Sequence, residues 1–345
     1  GAFFPETFSF WGNYLDQGDL GYGLESQRKG LPDGATVNEH IRIYWQGGVE
    51  LSAMMIRCYE HTRDDALLRE TALPFVHEII TFYDQHYKRD ANGKILFDPA
   101  YALEDIWYCS NPMPEIVGLR AILAAMIELT DDDAKRGQYR RMLGEMPEVP
   151  TVVDKSGTPR FAPCSPLRWK FRKQNAEKPE LYGAFPHLVH GVGRPHLDMA
   201  LDAWKHSIKR YHNGPMEGWL QNPIFTACLG MTDMAKSEQV RRSKLVQPGA
   251  RFPAFWVPNA DWMPDQDHGS VNMIGLQKMV MQPNLSVQGN EIFLLPAWPK
   301  DWNVSFKLHA PQQTTVEGVW RNGKLEQLNV RPESRRKDVV VIPPS

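Results

Sequence analysis

Three short stretches of the chain gather carboxyl groups with the side chains that tune them. Glu104, in DPAYALED (98–105), stands among Tyr101, Leu103, Ile106, Trp107 and Tyr108. Apolar surroundings disfavour the charged form of a carboxyl, and a general acid at neutral pH must hold its proton. Asp267, in PDQDHGS (264–270), precedes the apolar run Val271, Met273, Ile274, Leu276, Met279, Val280 and Met281, whose spacing predicts a helix. A carboxylate at a helix N-terminus is stabilised by unpaired backbone N–H groups and the positive end of the dipole, so it stays ionised. The third stretch, VNEHIRIYWQ (37–46), sets Asn38, Glu39, His40 and Arg42 just ahead of another predicted helix. One protonated and one ionised carboxyl on opposite sides of a bond is the arrangement that glycosidic cleavage requires.

Each stretch also has a plain structural reading. Asp267 can be an N-cap, Glu104 a solvated side chain, and Glu39 with Arg42 a first-turn ion pair. The company of Asp267 argues for more, because Trp256, Asn259, Asp261, Trp262 and His268 all lie within a dozen residues of it. Aromatic faces stack on flat, partly apolar ligands such as sugars, which makes Trp45, Trp107, Trp219, Trp256 and Trp262 stacking candidates. About half of them are expected in the core instead, as large aromatics are mostly buried. PHLVHGVGRPH (186–196) adds three His and Arg194, with His187 and His268 as substrate hydrogen-bonding candidates. No carboxylate or Cys stands at ligand spacing beside the His cluster, so neither a metal nor a cofactor is expected.

The whole chain narrows the partners. Its 345 residues, 42% hydrophobic, can fill a sizeable core, while 39 basic and 41 acidic side chains nearly cancel. The densest basic run, Arg335-Arg336-Lys337, is too short for a phosphate-binding stripe, so nucleic acid is not an expected partner. No apolar stretch reaches the length of a membrane span, and no membrane partner is expected. Cys58, Cys109, Cys164 and Cys228 stand more than fifty residues apart, which suggests small buried hydrophobes and gives no disulfide framework.

Periodicity predicts helices over 43–62, 63–87, 114–130, 131–143, 196–212, 217–230, 232–243 and 269–282, many of them paired by tight turns. The intervening 88–113 reads as a turn at Asn92-Gly93, a short extended piece and then irregular chain, and the Pro-rich 146–180 as a functional loop or small insertion. From residue 292 the period changes to two, with a hairpin turn at Asn322-Gly323. Serial helical hairpins whose loops carry the aromatics and carboxyls fit a mainly α fold. The expectation is an (α/α)6 toroid-type catalytic domain over 1–290, followed by a small antiparallel β domain over 291–345.

With these motifs in order, the chain resembles glycoside hydrolase family 95, the inverting α-L-fucosidases and α-L-galactosidases. QDHGSVNMIGLQKMV followed by IFLLPAWPKDW is similar to that family's Asp-Gly-Asn-Phe-Gly segment, helix and Leu-Leu-Pro-Ala-Leu-Pro strand. The resemblance gives Asp267 the place of the activating Asp and Glu104, in PAYALEDI, the place of the general acid. VNEHIRIYWQGG is similar to an Asn-x-Asn segment ending in Tyr-Trp, LYGAFPHLVHGVGRP to a His-Leu-Phe segment that puts His187 near sugar hydroxyls, and MEGWLQNPIFTACLG to a Gly-Trp-Ser helix with Trp219 as its Trp. Aligning Tyr44-Trp45 sets Val37 and Glu39 where the family has its two Asn, so the water-orienting role falls to Glu39 or to Asn38.

The resemblance implies an inverting exo-glycosidase with carbohydrate as its partner, working in the periplasm or outside the cell. It also implies a fragment, since the family carries a β-sandwich before its barrel. Two other readings stay open: a polysaccharide lyase using Tyr44, Tyr101, Tyr108 or His187, and a sugar-binding module without turnover.

Overall fold

The computed structural model describes residues 1–4, 29–31, 35–155, 157–166, 177–207, 220–245, 267–284 and 289–343, with the side chains of 267 and 268 outside that set. The chain divides into two compact units. One comprises Gly1–Ile56 and Asp65–Tyr182, the other Arg57–Asp64 and Gly183–Ser345.

The first unit is built on helices α1 (Gln46–Thr62, which passes into the second unit at Arg57), α2 (Leu73–His86), α3 (Met113–Leu129) and α4 (Asp133–Glu145). In α2 the buried set Val76, Ile79, Ile80 and Tyr83 follows helical spacing, so one stripe faces the core. Helix α3 buries every residue from Met113 to Leu119 and then Ile122, Leu123, Ala125 and Met126, the pattern of a helix covered nearly all round. Helix α4 buries only Tyr139 and Met142 and is started by Asp132, which accepts from the N–H groups of Ala134 and Lys135 at 3.0 and 3.1 Å.

Two expectations of the sequence change here. The helix expected over 63–87 is separated from α1 at Arg63 (φ 55°), as its predicted start requires, but it contains a π-helical stretch, Leu67–Ala72, that runs into α2. The irregular 98–111 contains a hairpin, β1 (Ala100–Ala102) with β2 (Ile106–Cys109), and the Pro-rich stretch contains another, β3 (Thr151–Val153) with β4 (Pro159–Phe161). Strands of three or four residues are too short to print a period on the sequence.

In the second unit, α5 (Leu197–His206) precedes α6 (Asn222–Cys228), α7 (Thr232–Ser243) and α8 (Asp267–Val280), with α6 buried along its whole length and packed on α7 and α8. Strand β5 (Met281–Pro283) pairs antiparallel with β6 (Ile292–Leu294), whose other edge takes β10 (Val339–Val341) in parallel. Strands β7 (Val304–Ala310), β8 (Thr314–Arg321) and β9 (Lys324–Arg331) form an antiparallel meander. Positive φ at Asn322 (50°) and Gly323 (74°) gives the expected hairpin turn between β8 and β9. Strand β8 alternates inward residues, including Val316 and Trp320, with outward ones. The described elements are helix-rich with small, mainly antiparallel sheets, compatible with an (α/α) toroid plus a β domain. Cys109, Cys164 and Cys228 are buried as expected, whereas Cys58 is exposed.

Within the meander, Gly318 lies opposite Phe306, and a Cβ at Gly318 would fall inside the Phe306 ring. The ring covers the glycine and excludes water from its backbone. Gly318→Ala is therefore expected to destabilise by about 1–3 kcal/mol through overpacking, whereas Gly137→Ala, facing open space in α4, should stabilise by about 0.4–1 kcal/mol. Denaturant titration of both variants checks the pair; equal signs would contradict it.

Candidate functional site

Glu104 sits at the tip of a loop closed at its base. The N–H of Asn111 donates to the Phe97 carbonyl at 2.8 Å, the N–H of Phe97 donates to Asn111 Oδ1 at 3.1 Å, and Ser110 Oγ donates to Asp98 Oδ2. Left-handed backbone at Leu103 (φ 56°) and Tyr108 (φ 49°) bends the hairpin around Glu104. Asp105 is fully buried, while the Glu104 side chain keeps 15% of its surface exposed. Adjacent carboxyls thus face different environments.

A second stretch reaches this tip. Tyr101 Oη donates to the Glu39 carbonyl at 3.0 Å, and Arg42 Nη1 donates to Tyr108 Oη at 3.3 Å. His40 Nδ1 lies 3.8 Å from Glu104 Oε2, and the His40 ring stands edge-on to Trp107 with centroids 4.7 Å apart. Trp107 stacks on Tyr101 within 2° of parallel, and its Nε1 donates to the Glu104 carbonyl at 2.8 Å. Two of the three stretches singled out by their chemistry therefore meet, although more than sixty residues separate them. Burial, then the bond from Tyr108, holds the Tyr101 phenol above its usual range. Tyr101 is a hydrogen-bond donor here and a poor base. Chemically, the tip offers a mostly covered carboxyl with an imidazole 3.8 Å away.

Several side chains take other places. Asn38 caps the 3-10 turn Glu39–Ile41, its Oδ1 accepting from the His40 N–H at 3.0 Å. The Glu39 carboxylate is 54% exposed and 3.9 Å from Arg42 Nη1, the first-turn pair. Trp45 does not present a stacking face: it is 4% exposed, packed against Phe3, Phe82 and His86 in the core. Trp107 is equally covered, so it shapes the loop rather than offering an open face. His187, in the second unit, is also 4% exposed, and burial followed by the nearby Arg57 charge pushes it down to about 3. A neutral, enclosed imidazole is structural before it is a sugar ligand. Asp267 opens α8 in the second unit, as predicted for a helix N-terminus; its side chain and that of His268, together with Trp219, Trp256 and Trp262, lie outside the described residues. Among the described residues, no three His, Cys, Asp or Glu side chains gather as a metal site, and no helix is long and apolar enough to cross a membrane.

The structure adds a carboxyl that sequence reading passed over. Glu115, in the first turn of α3, is 3% exposed, and burial raises it well above the usual carboxylate range. Burial followed by the Glu115 charge likewise raises the Tyr83 phenol. The signal was present in MPEIVGL, an acidic residue in the middle of an apolar run with no basic neighbour.

No family model matches the chain, and no curated protein matches it in sequence. Among solved structures, it is similar to a protein described as a kojibiose phosphorylase from the human microbiome, with a TM-score of 0.56 at 9% identity over 86% of this chain. What they share is the fold. This chain spans about half of that protein's length (44%).

The buried titratable groups give opposite pH signatures. The folded chain keeps the Glu115 proton to a higher pH than the unfolded chain, so stability is lost as pH rises above 4.5, and Glu115→Gln should raise Tm more at about pH 8 than at about pH 5. For His187 the folded value lies below the unfolded 6.5, so stability is lost as pH falls from 6.5 toward 3. In NMR, the His187 Cε1–H shift should stay constant between about pH 8 and pH 5. A midpoint near 6.5 would contradict its enclosure.

Proposed function

We infer that this chain acts on glycosidic bonds as an inverting exo-glycosidase. The observation that carries the reading is the placement of Glu104, its side chain mostly covered, its carbonyl bonded by Trp107 and its carboxyl 3.8 Å from His40. The fold shared with a described kojibiose phosphorylase supports a carbohydrate substrate. In this mechanism Glu104 protonates the glycosidic oxygen as it leaves, and Asp267 takes a proton from the water that attacks the opposite face of the sugar. Glu39 or Asn38 assists by orienting that water, and His40 returns a proton to Glu104 between turnovers. The resemblance to glycoside hydrolase family 95 favours α-L-fucosides or α-L-galactosides.

The fold likeness to a phosphorylase supports a second reading, in which inorganic phosphate attacks in place of water. A lyase gains less support, because Tyr101 is held protonated and His187 is enclosed. A panel of aryl α-L- and β-D-glycosides, run with and without inorganic phosphate, separates these chemistries by product: free sugar, sugar 1-phosphate or unsaturated uronate.

Glu104→Gln should lower kcat by roughly 10²–10⁴-fold while leaving substrate binding nearly unchanged. The first-formed sugar, followed by NMR, should have the opposite anomeric configuration to the substrate; early retention would overturn the mechanism. If Glu115→Gln abolished turnover and Glu104→Gln did not, the acid would be reassigned to the buried carboxyl.

A further inference from the structure

Two cysteines far apart in sequence meet beside the candidate loop. Cys109 ends β2, the strand that carries Trp107, and Cys164 lies just after β4. Their segments run antiparallel and are joined by backbone bonds on both sides. The N–H of Met113 donates to the Pro163 carbonyl at 2.9 Å and the N–H of Ser165 to the Ser110 carbonyl at 3.1 Å, with Pro112 bridged to Cys164. Both thiols are buried, at 0% and 1% exposure, in one small cluster with Ala102 and Ile106. The Cys164 Sγ donates to the Pro166 carbonyl at 3.6 Å, and the Cys164 thiol is near enough to Cys109 to raise it, together with burial, above its ordinary value. Two buried thiols in one small cluster, on backbones already fixed side by side, need little movement to reach bonding geometry.

We propose that Cys109 and Cys164 are a disulfide-forming pair that fastens the loop bearing Glu104 to the segment after β4. This goes beyond the glycosidase reading and does not rest on it. In the reaction each thiol loses its proton, one S–S bond forms, and two electrons pass to a low-molecular-weight disulfide such as oxidised glutathione, which is cleaved to two thiols. Attack requires a thiolate, and the nearby Cys164 together with burial raises the Cys109 thiol, so exchange in the folded chain is slow and favours alkaline pH. The bridge would close a loop of about 55 residues, long enough to restrict the unfolded chain substantially.

The test uses the full chain as Cys58→Ser, which removes the exposed thiol as a competitor. The protein is equilibrated at about pH 8.5 with oxidised glutathione or with dithiothreitol, quenched, alkylated under denaturing conditions and mapped by peptide mass spectrometry. The expected oxidised form has two fewer alkylation sites, a peptide crosslinked between Cys109 and Cys164, and an alkylated Cys228. It should melt at least about 4 °C above the reduced form, a difference that vanishes when Cys109→Ser or Cys164→Ser is added. Full alkylation of Cys109 and Cys164 at equilibrium, pairing of either with Cys228, or an oxidised form that melts no higher than the reduced one would overturn the proposal.

Discussion

The reciprocal bonds between Phe97 and Asn111 are the constraint on which the described part of the site depends. They hold the two ends of a loop together, so its interior residues must fold back on themselves, and the β1–β2 hairpin is the outcome. With the ends fixed, Leu103 and Tyr108 adopt left-handed backbone at a cost of order 1 kcal/mol each. The tip then carries a carboxyl that is neither fully solvated nor fully enclosed. The Asn111 side chain is central to this closure, since an Ala there would leave the Phe97 N–H without that acceptor.

The same loop separates the roles of its aromatic residues. Tyr101 and Trp107 are both buried, and their hydrogen-bonding ends point to backbone carbonyls, at Glu39 and Glu104 respectively. They bind the 36–42 segment to the loop and hold the backbone of Glu104, while the side chain of His40 stays exposed beside it. The structure therefore moves Trp45 from a stacking candidate into the helical core, and Trp107 from an open face to a support of the Glu104 backbone.

Much of this was legible in the sequence where periodicity was long. The buried stripe of α2, the covered helix α3 and the meander with its Asn322-Gly323 turn follow from patterns spanning seven or more residues. The short hairpins did not show, because three residues carry no period, and the π-helical stretch Leu67–Ala72 was hidden since a single widened turn leaves no compositional trace, whereas the break at Arg63 was legible. For the site, the residue types at 37–46 and 98–108 were sufficient to mark both stretches, but their meeting is a tertiary fact set by the Tyr101–Glu39 and Arg42–Tyr108 bonds. Burial was the least legible property. Trp45 and His187 have the chemistry of ligands and the surroundings of core residues.

The enclosed phenols of the first unit set an upper limit on the alkalinity the fold can withstand. Tyr83, Tyr87 and Tyr182 are each raised well above 10.0, chiefly by burial. An unfolded chain would release those protons near 10 while the folded chain retains them, and Tyr101 and Tyr139 are raised as well, so hydroxide draws the equilibrium toward the open form with an order above one. Exposure of Tyr83 exposes Tyr87 with it, because the two stack on one another in the same core cluster. Above that threshold the unit should fail abruptly, as a group, instead of softening residue by residue.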